Sequence, residues 1–188
     1  KESLKVKKYH GDVKVLSAVS SGTLQLSEEY FTKQVFSKNI DNYYVVPRFS
    51  FAYNPSRINI GSIGLNLFQF AGAVSPVYSV FSLKDDLHWF FQEWLNLHSS
   101  KNLIASLCSG SVRQSLKHTD LESILVLVPS EKLVDRFNQL YELFEASKNL
   151  RSKESKTLAE LRGALLPKLI SGQLRIPDAE KFLKEVGI

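Results

Sequence analysis

The chain holds one cysteine, Cys108, and no methionine among its 188 residues. A lone cysteine excludes an internal disulfide and fits a reducing compartment, so a cytoplasmic location is expected. The absence of methionine, the initiator included, suggests a processed or excised piece, or a start that is not the natural one. No apolar run nears the roughly 18 residues of a membrane span; the longest is Ile124 to Val128, and the charged first residues do not make a signal peptide. Glycine-rich phosphate loops are also missing: Gly61, Gly64 and Gly72-Ala73 do not complete a dinucleotide fingerprint, and no phosphate-binding loop with its lysine occurs. His10, His88, His98 and His118 have no metal-ligand spacing with Cys108, so no metal and no cofactor is expected. The pairs Glu28-Glu29 and Asp85-Asp86 are explained by helix starts as well as by catalysis. Asn54-Pro55-Ser56-Arg57 begins like the Asn-Pro-Pro-aromatic motif of adenine methyltransferases but lacks the second proline and the ring. A non-catalytic chain is expected.

What is present is a long helical stretch, Pro129 to Leu166. Ser130 is a good N-cap, Glu131 and Asp135 sit near the start, and neither proline nor glycine interrupts before Gly163. Leu133, Phe137, Leu140, Phe144, Ser147, Arg151, Glu154, Leu158, Leu161 and Leu165 recur in steps of four and three, the period of a coiled-coil seam. Apolar ends around a polar centre suit an antiparallel pair, in which centre meets centre. The plainer alternative is an amphipathic helix packed along its own domain with a solvated waist. Pro167 should end or kink the helix, and Ser171-Gly172 should turn the chain into an extended Leu174 to Ile176. Asp178 should then cap a short helix, Ala179 to Val186.

The first part is richer in short strands. Val13 to Val19 and Thr23 to Leu26 flank a Ser20-Ser21-Gly22 turn, and Glu28 to Phe36 holds a helical turn or two. Asn42 to Ser50 reads as a strand stopped at Pro47 and resumed by Phe51 to Tyr53. Ile58 to Leu67 is broken by Gly61 and Gly64, Ala73 to Phe81 is a further strand, and Leu83 to Leu97 turns helical. Asn102 to Cys108 is a short helix or strand. Ser109-Gly110-Ser111 is a turn, Thr119 to Glu122 starts a helix, and Ser123 to Val128 is a buried strand. The fold class is α+β: a mixed globular domain over 1–128, a coiled-coil helix over 129–166 and a tail over 167–188.

The net charge is +5, and residues 1–118 carry 13 Lys/Arg against 8 Asp/Glu whereas residues 130–163 carry 7 against 6. The surplus on the first part suggests an anionic partner, nucleic acid first.

The segments YVVPRFSFAYNPSRINIGSIGLNLFQFAGAVSPVYSVF, GSVRQSLKHTDLESILVLVP and above all LAELRGALLPKLISGQLRI after a long helix resemble the DNA specificity subunit of type I restriction-modification systems. In that family a target recognition domain precedes a long helix, the unit usually occurs twice, and the two helices form an antiparallel coiled coil between two DNA-reading domains. One unit is present here without the leading segment, as in a half-length subunit or a piece of a longer one. The resemblance implies double-stranded DNA, a modification subunit that methylates adenine with S-adenosylmethionine, and a restriction subunit with nuclease and ATP-driven translocase activity. Neither cofactor is expected on this chain. A coiled-coil dimerisation module without a DNA role is the alternative.

Duplex readers use cations for phosphates and Arg, Asn or Gln forks for base edges. Arg48, Tyr53, Asn54, Arg57, Asn59, Ser62 and Gln69 crowd one turn-rich stretch, with Lys33 and Lys38 upstream; Arg113, Gln114 and Lys117 follow the Ser109 to Ser111 turn, whose backbone N–H groups suit a phosphate. Each also has an ordinary role as a solvated side chain or turn former. Across a two-fold dimer, Leu133 and Phe137 of one copy should approach Leu161 and Leu165 of the other, with Leu140, Phe144 and Leu158 also in the interface.

Overall fold

The computed structural model describes residues 4–31, 36–84, 86–110 and 114–173. Lys33, Asp85, Arg113 and the expected tail strand and helix after Gln173 lie outside the described residues. Two compact units divide the chain, Lys1–Asn138 and Gln139–Ile188.

In the first unit β1 (Val13–Val19) and β2 (Thr23–Leu26) form a hairpin over the Ser20 to Gly22 turn, where Gly22 adopts φ +79°. They join β6 (Ala71–Val74) and β3 (Tyr44–Val46) in a four-stranded sheet of order β2-β1-β6-β3. The β1–β6 pair is parallel, with Lys14 opposite Gly72, and the others are antiparallel. A second, antiparallel sheet has the order β5-β4-β7, built from β4 (Ser50–Tyr53), β5 (Ile63–Leu65) and β7 (Ser79–Ser82). Short α1 (Ser27–Tyr30) follows β2; α2 (His88–Asn96), α3 (His98–Leu107) and α4 (His118–Glu122) follow β7.

Every residue of β4 is buried, because this strand is covered on both faces. On one side Ala52, with its partner Val80, meets Leu16, Leu24, Val46 and Val74 of the first sheet. On the other, Phe51 stacks on Phe81 at 5.3 Å and meets Phe91 of α2 edge-on at 5.3 Å. Fully burying rings of this size contributes about 1.5–3 kcal/mol each. The alternation of β4 thus fixes a layered order: sheet, sheet, helices.

Close backbone approach explains Gly64. A Cβ there would stand 2.5 Å from the backbone of Thr23 and Leu24, so Gly64 does not break the strand as expected but lets β5 lie against β2. The expected Ala73 to Phe81 strand is likewise two strands in two sheets, separated at Pro76, which cannot donate to a ladder. Asn66, absent from every sequence expectation, is fully buried: its amide donates to the carbonyls of Val46 (2.8 Å) and Phe70 (3.1 Å) and accepts from Phe68 N (3.0 Å). It pins the loop between β5 and β6.

Residues 123–128 are a correction. They are paired with no strand among the described residues, and Leu125 and Leu127 are 97% and 92% exposed. Apolar composition and period-two alternation specify a strand's burial only where a partner strand is available beside it.

The helix α5 runs Glu131–Ile170, 40 residues or about 60 Å. Its start is as expected: Leu133 and Val134 donate to the Ser130 carbonyl. In the first unit Val134 is buried, Phe137 meets Phe90 edge-on at 6.3 Å, and the Asn138 amide donates to the Asp86 carbonyl at 3.0 Å. Pro167 does not end the helix. It removes one N–H, but Lys168, Leu169 and Ile170 continue the helix for one further turn. The helix closes at the expected Ser171-Gly172 turn, where Gly172 adopts φ +72° and donates to Leu169 O. In the second unit Leu140, Phe144, Leu158, Leu161 and Leu165 are all exposed, as are Leu143, Leu150 and Leu166 beside them; Leu133, in the first unit, is exposed too. The stripe is therefore wider than the seam read from the sequence. Among the described residues no helix is long and apolar enough to cross a membrane.

Candidate nucleic-acid interface

The two candidate reading stretches come together at one end of β4. Asn54 Oδ1 accepts from Ser56 N at 3.1 Å, and Arg57 N donates to Asn54 O, the turn that an Asn-Pro pair favours. One 3-10 turn follows, Ile58–Ile60, closed by Gly61 at φ +87°. The Arg57 carbonyl accepts from Ile60 and Ser62, so the backbone beneath the Arg57 side chain is tied on both sides. Leu116 N donates to Pro55 O at 3.0 Å, Tyr53 Oη donates to Leu116 O at 3.4 Å, and Asn59 Nδ2 donates to Gln114 Oε1 at 3.4 Å. Residues 59 and 114 are far apart in sequence, and these bonds make their stretches one surface.

On that surface Arg57, Asn59, Gln114 and Lys117 are exposed. Two cations and two amides are the groups that hold phosphates and read base edges. The backbone carries them on a braced turn, which spares ordering entropy when a ligand docks.

Two expected contact residues are placed inside instead. Tyr53 is fully buried; burial pushes its phenol pKa up, the Ser79 hydroxyl opposing, and keeps it a neutral donor to Leu116. Ser62 is 3% exposed and donates to Ala18 O at 2.7 Å. Both secure the turn from below, since the end of β4 and the start of β5 tuck under it.

Arg48 and Gln69 sit at the other end of β4, a strand of four residues or about 13 Å. There the Arg48 guanidinium lies 4.4 Å over Phe49, which stacks on His88 at 4.3 Å. A cation so stacked is pre-oriented, but apart from the Arg57 group. Lys38 lies in the segment leading into β3, exposed. Cys108 is half-buried and donates to Ile104 O, and burial raises its thiol pKa.

Sequence reasoning missed a cleft of about 340 Å³ beside the same turn. The Ser20 to Gly22 hairpin turn, the Asn59 turn, and Gln92, Asn96 and Lys101 of α2 and α3 line it. Gly61 permits the two turns to touch, since a Cβ there would stand 2.6 Å from Ser20 O. No local motif announces such a site, because its walls come from four separate segments.

The sequence matches no protein-family model. Over 98 residues, 52% of this chain, it is 31% identical to the type I restriction enzyme MjaIX specificity subunit of Methanocaldococcus jannaschii, and the match spans 22% of that protein. The chain is thus similar, over about half its length, to a specificity subunit of a type I restriction enzyme.

Proposed function

We propose that the chain is the non-catalytic DNA-recognition part of a type I restriction-modification enzyme, working in the cytoplasm on double-stranded DNA. The observation that carries this is the union of Arg57, Asn59, Gln114 and Lys117 on one braced surface through the Asn59–Gln114 bond. The similarity to a specificity subunit supports it independently. The domain over 1–128 reads one half of a split target. The helix, expected over 129–166, sets the distance to the other half by pairing antiparallel with a second copy. The modification subunit and the restriction subunit dock on the assembly and bring methylation, cleavage and translocation.

Arg57→Ala tests the reading. In a titration of the assembled methyltransferase on its target and on single-base variants, loss of a bidentate base contact lowers affinity by about 1–3 kcal/mol and relaxes preference at one base pair. Loss of a phosphate contact instead weakens all sequences alike and reduces the salt slope by about one. Wild-type affinity and specificity in Arg57→Ala, with a loss in the helix variant Lys156→Ala, would place the reading surface elsewhere and leave the basic first part a solvated face.

A further inference from the structure

Building on that DNA-reading function, we propose that the cleft between the β1–β2 turn and α3 seats a backbone phosphate of the duplex, with Lys101 as its cation. Apolar side chains make up more of the lining than polar ones, but the polar groups include no carboxylate: hydroxyls of Ser20 and Ser21, amides of Asn59, Gln92 and Asn96, and the ammonium of Lys101. An anion is the ligand such a set favours, and lysine meets phosphate as a compact point charge. Gln92 closes one side of the cleft, its Nε2 donating to Gly22 O at 3.5 Å and tying α2 to the hairpin turn.

Continuity with the reading turn favours DNA as the source of that phosphate. Asn59 lines the cleft while its Nδ2 donates to Gln114, so one turn forms the cleft wall and the reading surface. The Gly61–Ser20 approach locks the cleft's two turns together. A phosphate seated here fixes the register in which Arg57 and Gln114 meet the bases, the division of labour by which backbone contacts position and base contacts specify.

The test measures affinity of the assembled methyltransferase for a random-sequence duplex across several salt concentrations, comparing wild type, Lys101→Ala, Lys101→Arg and Arg57→Ala. Lys101→Ala should weaken binding equally for all sequences and lower the log–log salt slope by about one, and Lys101→Arg should restore the slope. Unchanged affinity and slope in Lys101→Ala, alongside a loss in Arg57→Ala, overturns the cleft assignment and leaves the DNA reading standing. A wild type without salt-dependent DNA binding overturns both. A second arm heats the chain with inorganic phosphate alone: a phosphate-dependent rise in Tm abolished in Lys101→Ala, with DNA affinity unmoved, assigns the cleft to free phosphate and overturns its assignment to DNA.

Discussion

Leu161→Asp should convert a dimer of this chain into a monomer. Leu133, Leu140, Phe144, Leu158, Leu161 and Leu165 form an exposed apolar stripe on a helix of 40 residues, which the proposed antiparallel pairing covers. In a two-fold pair Leu161 occurs twice, at both ends of the seam, so one substitution removes two buried leucines and places two carboxylates in an apolar contact. At about 1.5–3 kcal/mol per leucine the loss is about 3–6 kcal/mol. The dimer dissociation constant should therefore rise by roughly a hundredfold to ten-thousandfold. Light scattering at micromolar concentration reads this directly, and a wild type that is already monomeric and indifferent to Leu161→Asp would remove homodimerisation from the account.

Gly64→Ala should strongly destabilise the domain. The added Cβ would stand 2.5 Å from Leu24 N and from Thr23 C, both backbone atoms of the adjoining strand, so nothing flexible can yield. Separating β5 from β2 disturbs the strand that covers the edge of β4 and, through Ser62 and Ala18, the support of the Arg57 turn. Overpacking on this scale costs about 3 kcal/mol or more, lowering Tm by roughly 6–12 °C for a domain of this size. Gly163→Ala is the matched control: nothing lies within 4 Å of its added Cβ. A helix position gains up to about 1 kcal/mol from the same change. Calorimetry showing equal Tm values for both variants would contradict the packing described for β5.

These two glycines mark what the sequence shows and what it hides. The alternation in Val13 to Val19, the Ser20-Ser21-Gly22 turn, the stop at Pro47 and the start of α5 after Ser130 are local signals, and each appears in the structure where the pattern places it. Gly64 reads as a break because glycine lowers strand preference, yet its role is set by Thr23 and Leu24, forty residues earlier and invisible to local pattern. The same holds for Ile124 to Val128. Five apolar residues promise burial, but alternation leaves Leu125 and Leu127 exposed where no described strand adjoins. Pro167 shows the converse: a strong local stop is overridden by one more turn.

The candidate site divides along the same line. Arg57 and Asn59 were legible as a cation and an amide on a turn, and the sequence also held Gln114 and Lys117 as a separate group. Only the fold joins the two groups, through Leu116 N to Pro55 O and Asn59 to Gln114. Tyr53 and Ser62 were drawn in by adjacency, although the strand ends that carry them point inward. Lys101 carried no signal at all, since a lone helical lysine becomes meaningful only when the hairpin turn and Gln92 are seen around it.

Selection of bound duplexes from a randomised DNA pool, using the chain assembled with the proposed modification subunit, tests the central claim most directly. A reading domain repeated about a two-fold axis should enrich an interrupted sequence whose halves are inverted copies, with the gap fixed by the helix pair. Enrichment should vanish at one base pair in each half when Arg57 is replaced by alanine, if Arg57 makes the base contact. A pool that emerges with no preferred sequence, while the protein remains folded and assembled, would contradict DNA recognition by this chain.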